Sequence, residues 1–179
     1  MTTAQGWTGI LDPDEEILWQ GRPDPAIVLR VESIVMTIFG LFFAGFALFW
    51  MIMAAQAGGF FWMFGLIHFA VGVGITFGAF LKKPLQNRRT WYSLSNKRAF
   101  IATDYPIRGR RLQSWPINGD TQLSMDQGAL STITFATRAY RHKGRNRTRN
   151  IGFERIPDGP QVYRLMRDIQ RAERQEGRQ

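Results

Sequence analysis

The pattern of apolar and polar positions divides the chain into three. Residues 1–32 are mixed and acidic, residues 33–81 contain no Asp, Glu, Lys or Arg, and residues 82–179 return to short apolar runs among many charges. A soluble core is not built from so long an uncharged tract. A helix crosses the hydrocarbon of a bilayer with about 20 apolar residues, and this tract is long enough for two. Its one polar, turn-like interruption is "QAGG", residues 56–59. The pattern therefore predicts a hairpin of two transmembrane helices, 33–55 and 60–81, joined by a very short loop. The polar, acidic residues ahead of the tract and its length exclude a cleaved signal peptide.

Beyond the tract the period changes to two. In "QNRRTWYSLSNKRAFIAT", residues 86–103, a two-residue turn at Asn96 and Lys97 sets Tyr92, Leu94, Ala99 and Ile101 on one face of a β-hairpin. Trp91, Ser93, Ser95, Arg98, Phe100 and Ala102 fall on the other, and the first face has the composition of a core. Further strand-like runs follow at 111–117, 121–125, 131–140 and 149–156, separated by Gly, Asp, Asn and Pro. "PDGP" at 157–160 then ends the last strand and opens a helix in which Val162, Leu165, Met166 and Ile169 recur at helical spacing opposite Arg164, Arg167, Asp168 and Arg171. The expected fold is an antiparallel meander closed by one amphipathic helix. At the N-terminal end, "ILWQG" (17–21) is expected to add an edge strand to that sheet or pack against it.

Charge changes the picture in two ways. The loop between the helices is uncharged, whereas Arg22 and Arg30 precede the first helix and Lys82, Lys83, Arg88 and Arg89 follow the second. The positive-inside rule then places both termini in the cytoplasm. Trp50, Phe60, Phe61 and Trp62 gather at the short loop, as aromatic residues do at a membrane interface. From residue 82 onward there are 21 Lys plus Arg against 8 Asp plus Glu, compared with 2 against 6 before it. A basic domain tethered at an anionic leaflet gains about 1 kcal/mol for each Lys or Arg held near the surface. The lipid bilayer with its anionic headgroups is thus the first partner to consider, with Lys82, Lys83, Arg88, Arg89 and Trp91 at the interface.

The densest basic feature is "RAYRHKGRNRTRN", residues 138–150, carrying Arg138, Arg141, Lys143, Arg145, Arg147 and Arg149 around Gly144. The sequence reads as a loop between two strands. Its residues are candidates for binding lipid or the acidic face of a partner; the plainer reading is a solvated loop serving topology and solubility. Nucleic acid is disfavoured as a partner, since no helix-turn-helix, zinc or RNA-binding signature accompanies the arginines.

Candidate chemistry is sparse. The chain has no cysteine and two histidines, and it lacks the glycine-rich phosphate loop, the nucleophile-elbow serine and the paired-histidine zinc motif. No cofactor, metal site or catalytic residue is expected. His68 falls in the middle of the second apolar helix, where a polar group is a functional suspect. A bond to Thr37, Thr76 or a backbone carbonyl of the neighbouring helix explains it more simply, as polar glue between helices. Ala70, Gly74 and Gly78 form a small-residue stripe on the same helix, suited to close packing against the first helix or another subunit. Asp14, Glu15 and Glu16 lack any visible pocket, and Asp12 with Glu15 resembles a cap.

Three stretches carry a family resemblance: "DEEILWQGRPDP" (14–25), "WYSLSNKRAFIAT" (91–103) and "IGFERIPDGPQVYRLM" (151–166), arranged around the helical hairpin. In that order the chain resembles the bacterial pleckstrin-homology-like (PH-like) family of membrane proteins. The resemblance implies residues 1–32 packing with a cytoplasmic PH-like domain at 82–179, the 33–81 hairpin anchoring both in the bacterial inner membrane, and a β-sandwich or partly open barrel capped by the last helix. It implies no catalytic residue. The expected role is a binding or scaffolding module in the assembly or organisation of a membrane complex, with a membrane protein or a second copy as partner. An anionic-lipid sensor is the alternative, and a membrane-bound enzyme a distant one. The turn after Leu94 offers Lys97 and Arg98 alone, unlike the basic loop of headgroup-binding PH domains.

Overall fold

The computed structural model describes residues 6–27, 31–106, 109–142 and 144–176, so Arg30 and Lys143 lie outside the described residues. Contacts divide the chain into two units, Met1–Asp24 with Gln86–Gln179, and Pro25–Leu85.

The first unit is mainly β. Strands β1 (Ile17–Gly21), β2 (Thr90–Ser95), β3 (Arg98–Tyr105) and β4 (Gly109–Pro116) form one antiparallel sheet in that order. Strands β5 (Ser124–Asp126), β6 (Ser131–His142) and β7 (Arg145–Ile156) form a second. Among the described residues no ladder joins the two sheets into a closed barrel. The β2–β3 turn is the two-residue one at Asn96 and Lys97, with Leu94 opposite Ala99 and Tyr92 opposite Ile101. Leu94 and Ala99 are fully buried.

Phe153 in β7 is the centre of the core. Its ring stacks on Tyr92 of the first sheet at 4.8 Å, meets Phe135 edge-on at 5.2 Å and lies 5.4 Å from Trp19. One side chain thus ties β1 and β2 to the second sheet. Helix α3 (Gly159–Glu176) closes the remaining side with Val162, Met166 and Ile169, one every three or four residues. Leu165 flanks this stripe and is half-buried. Pro160 stands in the first turn, where its missing N–H costs nothing. At the far end of the helix, the buried Gln170 donates to the carbonyls of Asn118 (3.1 Å) and Thr121 (2.7 Å), and Arg174 donates to Gly119, fixing the turn after β4.

The second face of the β2–β3 hairpin differs from expectation. Phe100, Ser93 and Ser95 on that face are buried, because the N-terminal segment folds across it: Trp7 meets Phe100 edge-on at 5.0 Å. Sequence spacing could assign the residues to a face but could not show that both faces would be covered.

The Pro25–Leu85 unit contains α1 (Val31–Gln56), a 3₁₀ turn (Phe61–Met63) and α2, which runs from Phe64 on to Arg88. Both helices are long and apolar enough to cross a membrane, each close to 40 Å at about 1.5 Å per residue. About a sixth of each apolar window is buried (17%), so neither helix is enclosed like the core helix of a soluble domain. They meet through small residues. A Cβ added at Gly72 would lie 2.7 Å from the Ala44 backbone, and one at Gly40 would lie 2.5 Å from the Thr76 hydroxyl. Gly40, Ala44, Ala47, Gly65 and Gly72 are the buried residues of this contact.

Candidate functional site: a one-sided arginine ribbon

The 138–150 segment is not a loop. It is the outer half of the β6–β7 hairpin, paired without interruption from Ala136–Ile151 to His142–Arg145. β6 ends at His142 and β7 begins at Arg145, and Gly144 just before β7 has φ +76°, a backbone conformation that favours glycine. From Thr137 to Asn150 the described side chains are exposed, so about 20 Å of two-stranded ribbon extends beyond the core. The sequence concealed these strands because both faces of the ribbon are polar and show no apolar alternation.

Register decides where the charges go. Residues directly opposite in an antiparallel pair share a face, and so do residues two apart along a strand. Arg138 stands opposite Arg149, Tyr140 opposite Arg147, and Arg145 opposite His142. Arg138, Arg145, Arg147 and Arg149 therefore lie on one face with Tyr140. The same face begins inward with Ala136 and Ile151, both packed on the core. Arg141 pairs with Asn146 on the opposite face, beside Ala139–Thr148 and Thr137–Asn150. The ribbon is strongly cationic on one side and nearly neutral on the other.

A second polar cluster, absent from the sequence reading, fixes the N-terminal segment. The Glu15 carboxylate is fully buried and accepts hydrogen bonds from Ser95 Oγ (2.5 Å), Arg98 Nε (3.1 Å), a second Arg98 nitrogen and the Asp12 amide (3.1 Å). Burial opposes its ionisation, but the Arg98 and Ser95 bonds outweigh that cost and lower its pKa from the usual 4.5 to about 2. Next to it, Lys97 donates to Asp14 at 2.7 Å, which holds the Asp14 carboxyl below its ordinary range. Lys97 and Arg98 are thus spent on Asp14 and Glu15, and the β2–β3 turn offers no free cationic pair. Matching charge order in "DEE" and "NKR" was the available signal: each ion pair joins residues 83 apart.

The other candidate residues are dispersed. Lys82 and Lys83 lie in α2, six and five residues before its end at Arg88; Arg88 and Arg89 are exposed. Trp91 is half-buried, with the Arg22 guanidinium 4.9 Å from its ring centre. His68 is exposed; its Nδ1 lies 3.3 Å from the Phe64 carbonyl of its own helix, and it meets the neighbouring helix through its ring, 6.3 Å from that of Phe43. Thr37 and Thr76 likewise donate to carbonyls four residues back, Ser33 and Gly72. Ala70, Gly74 and Gly78 are exposed, and added Cβ atoms at Gly74 and Gly78 would meet nothing. The face of α2 that packs on α1 is that of Gly65, Gly72 and Thr76. Among the described residues, no group of three or more His, Asp or Glu side chains is placed to hold a metal ion. Comparison with family models, with curated proteins and with solved structures finds no match to this chain.

Proposed function

We propose that the protein is a membrane-anchored binding or scaffolding module of the bacterial PH-like kind, held at the cytoplasmic face of the inner membrane by the α1–α2 hairpin and serving the assembly of a membrane complex. One observation carries the reading. β1 and β2 are hydrogen-bonded neighbours, with Gly21 opposite Tyr92, although the whole apolar hairpin lies between them in sequence. The chain leaves the sheet and re-enters it at one place, so an intervening segment that enters the bilayer must cross it an even number of times. Two helices of spanning length, exposing Phe39, Phe42, Phe46 and Phe49 on α1 and Ile67, Val71 and Phe77 on α2, fit that requirement. Several antiparallel strands followed by one closing amphipathic helix is also the order expected of a PH-like domain.

A module of this kind works by holding a partner. The full chain extracted from its own membranes in mild detergent is expected to carry one protein, or a second copy of itself, in fixed ratio, and to lose it when Phe153→Ala loosens the sheets. Recovery as a monomer with nothing in fixed ratio contradicts the scaffolding role. The one-sided arginine ribbon favours a second reading, contact with anionic lipid.

A further inference from the structure

We propose that the ribbon face bearing Arg138, Arg145, Arg147, Arg149 and Tyr140 is a flat contact for the headgroups of anionic phospholipids. The proposal rests on the membrane-anchored reading above and gives it a second partner. Arg138 and Arg149 stand directly opposite each other, and like charges so placed destabilise a strand pair. No acidic residue occurs between positions 127 and 153, so the ribbon itself supplies no carboxylate to offset them. A face that costs stability on its own is offset when an anionic surface covers it. Tyr140, 45% exposed among these arginines, suits an interface where one end of a side chain is apolar and the other wet. The shape argues against a headgroup pocket: the cations are spread along a two-stranded ribbon instead of converging on one point. Lipid is favoured over nucleic acid because β2 begins two residues after α2 ends at Arg88, so the tether keeps a leaflet always within reach.

The chain has no cysteine, so a single label can be placed on the far face at Thr148→Cys. The full chain carrying this label is reconstituted in nanodiscs of phosphatidylcholine alone or mixed with phosphatidylglycerol, both with a headgroup-attached quencher. Quenching should rise in the anionic discs and fall with added salt. Each arginine on the face contributes about fivefold to the population in contact. Arg138→Gln with Arg145→Gln, Arg147→Gln and Arg149→Gln should therefore abolish the lipid-dependent part, while Arg141→Gln on the opposite face leaves most of it. The quadruple variant should melt no lower than the parent, which separates lost contact from lost folding.

Equal quenching in neutral discs overturns the proposal, as does an Arg141→Gln effect as large as the quadruple one. Competition by free glycerol phosphate at constant ionic strength would show a discrete phosphate pocket and overturn the flat contact. An oligonucleotide that binds through the same arginines while lipid quenching stays unchanged would assign the face to nucleic acid. A chain that fails to enter discs of either composition defeats the anchor itself, a result distinct from one that enters both and ignores lipid charge.

Discussion

Phe153→Ala is expected to lower the stability of the β-rich unit by about 3–5 kcal/mol, the range for removing a fully buried aromatic ring. The value should fall at the upper end. Phe153 touches Tyr92, Phe135 and Trp19, which belong to both sheets and three further strands, so collapse around the cavity would require both sheets to move. Small domains are stable by about 5–15 kcal/mol in total, so this change removes a large share. Thermal unfolding of the full chain in detergent, followed by tryptophan emission, should show a large fall in the transition temperature because Trp19 reports directly on the site. Phe153→Leu, which leaves a smaller cavity, should fall less. An unchanged transition in Phe153→Ala would mean that the sheets do not meet through this ring.

Glu15→Gln should cost about 2 kcal/mol at neutral pH, since the carboxylate receives charge-assisted hydrogen bonds from Arg98 as well as bonds from Ser95 and Asp12. Its pH signature is specific. The folded protein holds Glu15 ionised down to about 2, whereas the unfolded chain takes up the proton near 4.5. The stabilisation is therefore complete above about 4.5 and is lost as pH falls toward 2. Other carboxylates contribute to acid unfolding, but the difference between parent and Glu15→Gln isolates this one. That difference should be largest at neutral pH and shrink toward zero between about 4.5 and 2. A difference independent of pH would show that the residue matters through packing and not through its charge.

The two predictions differ in how far they could be foreseen. The alternation of Tyr92, Leu94, Ala99 and Ile101 around Asn96–Lys97 identifies the hairpin and its core face, because the face packed on the main core recurs in apolar residues with a period of two, although the other face is covered as well. The helical spacing of Val162, Met166 and Ile169 identified α3 for the same reason. "ILWQG" was legible as an edge strand, β1. The Glu15 cluster leaves only the matching charge order of "DEE" and "NKR" as its trace, since its partners lie some 80 positions away and no local pattern records a tertiary ion pair. The ribbon reads as a loop in the sequence because arginine, threonine and asparagine on both faces erase the apolar period on which strand assignment rests. Once the register is known, the same residues become informative: it sorts five described arginines four to one between the faces. In α2, glycines at 65, 72, 74 and 78 offered more than one small-residue face. The choice of Gly72 and Thr76 over Gly74 and Gly78 depends on Gly40 and Ala44 of the facing helix.

The central claim is that both parts of the β-rich unit lie on one side of a membrane that the hairpin crosses twice. Single cysteines at Gly6, Ala57 and Glu176, placed in the otherwise cysteine-free chain, can be probed in intact cells with a membrane-impermeant maleimide; all three positions are exposed. The account predicts that Ala57→Cys is labelled from outside, while Gly6→Cys and Glu176→Cys react after the membrane is opened. Labelling of Glu176→Cys in intact cells, or opposite results at Gly6 and Glu176, would contradict it.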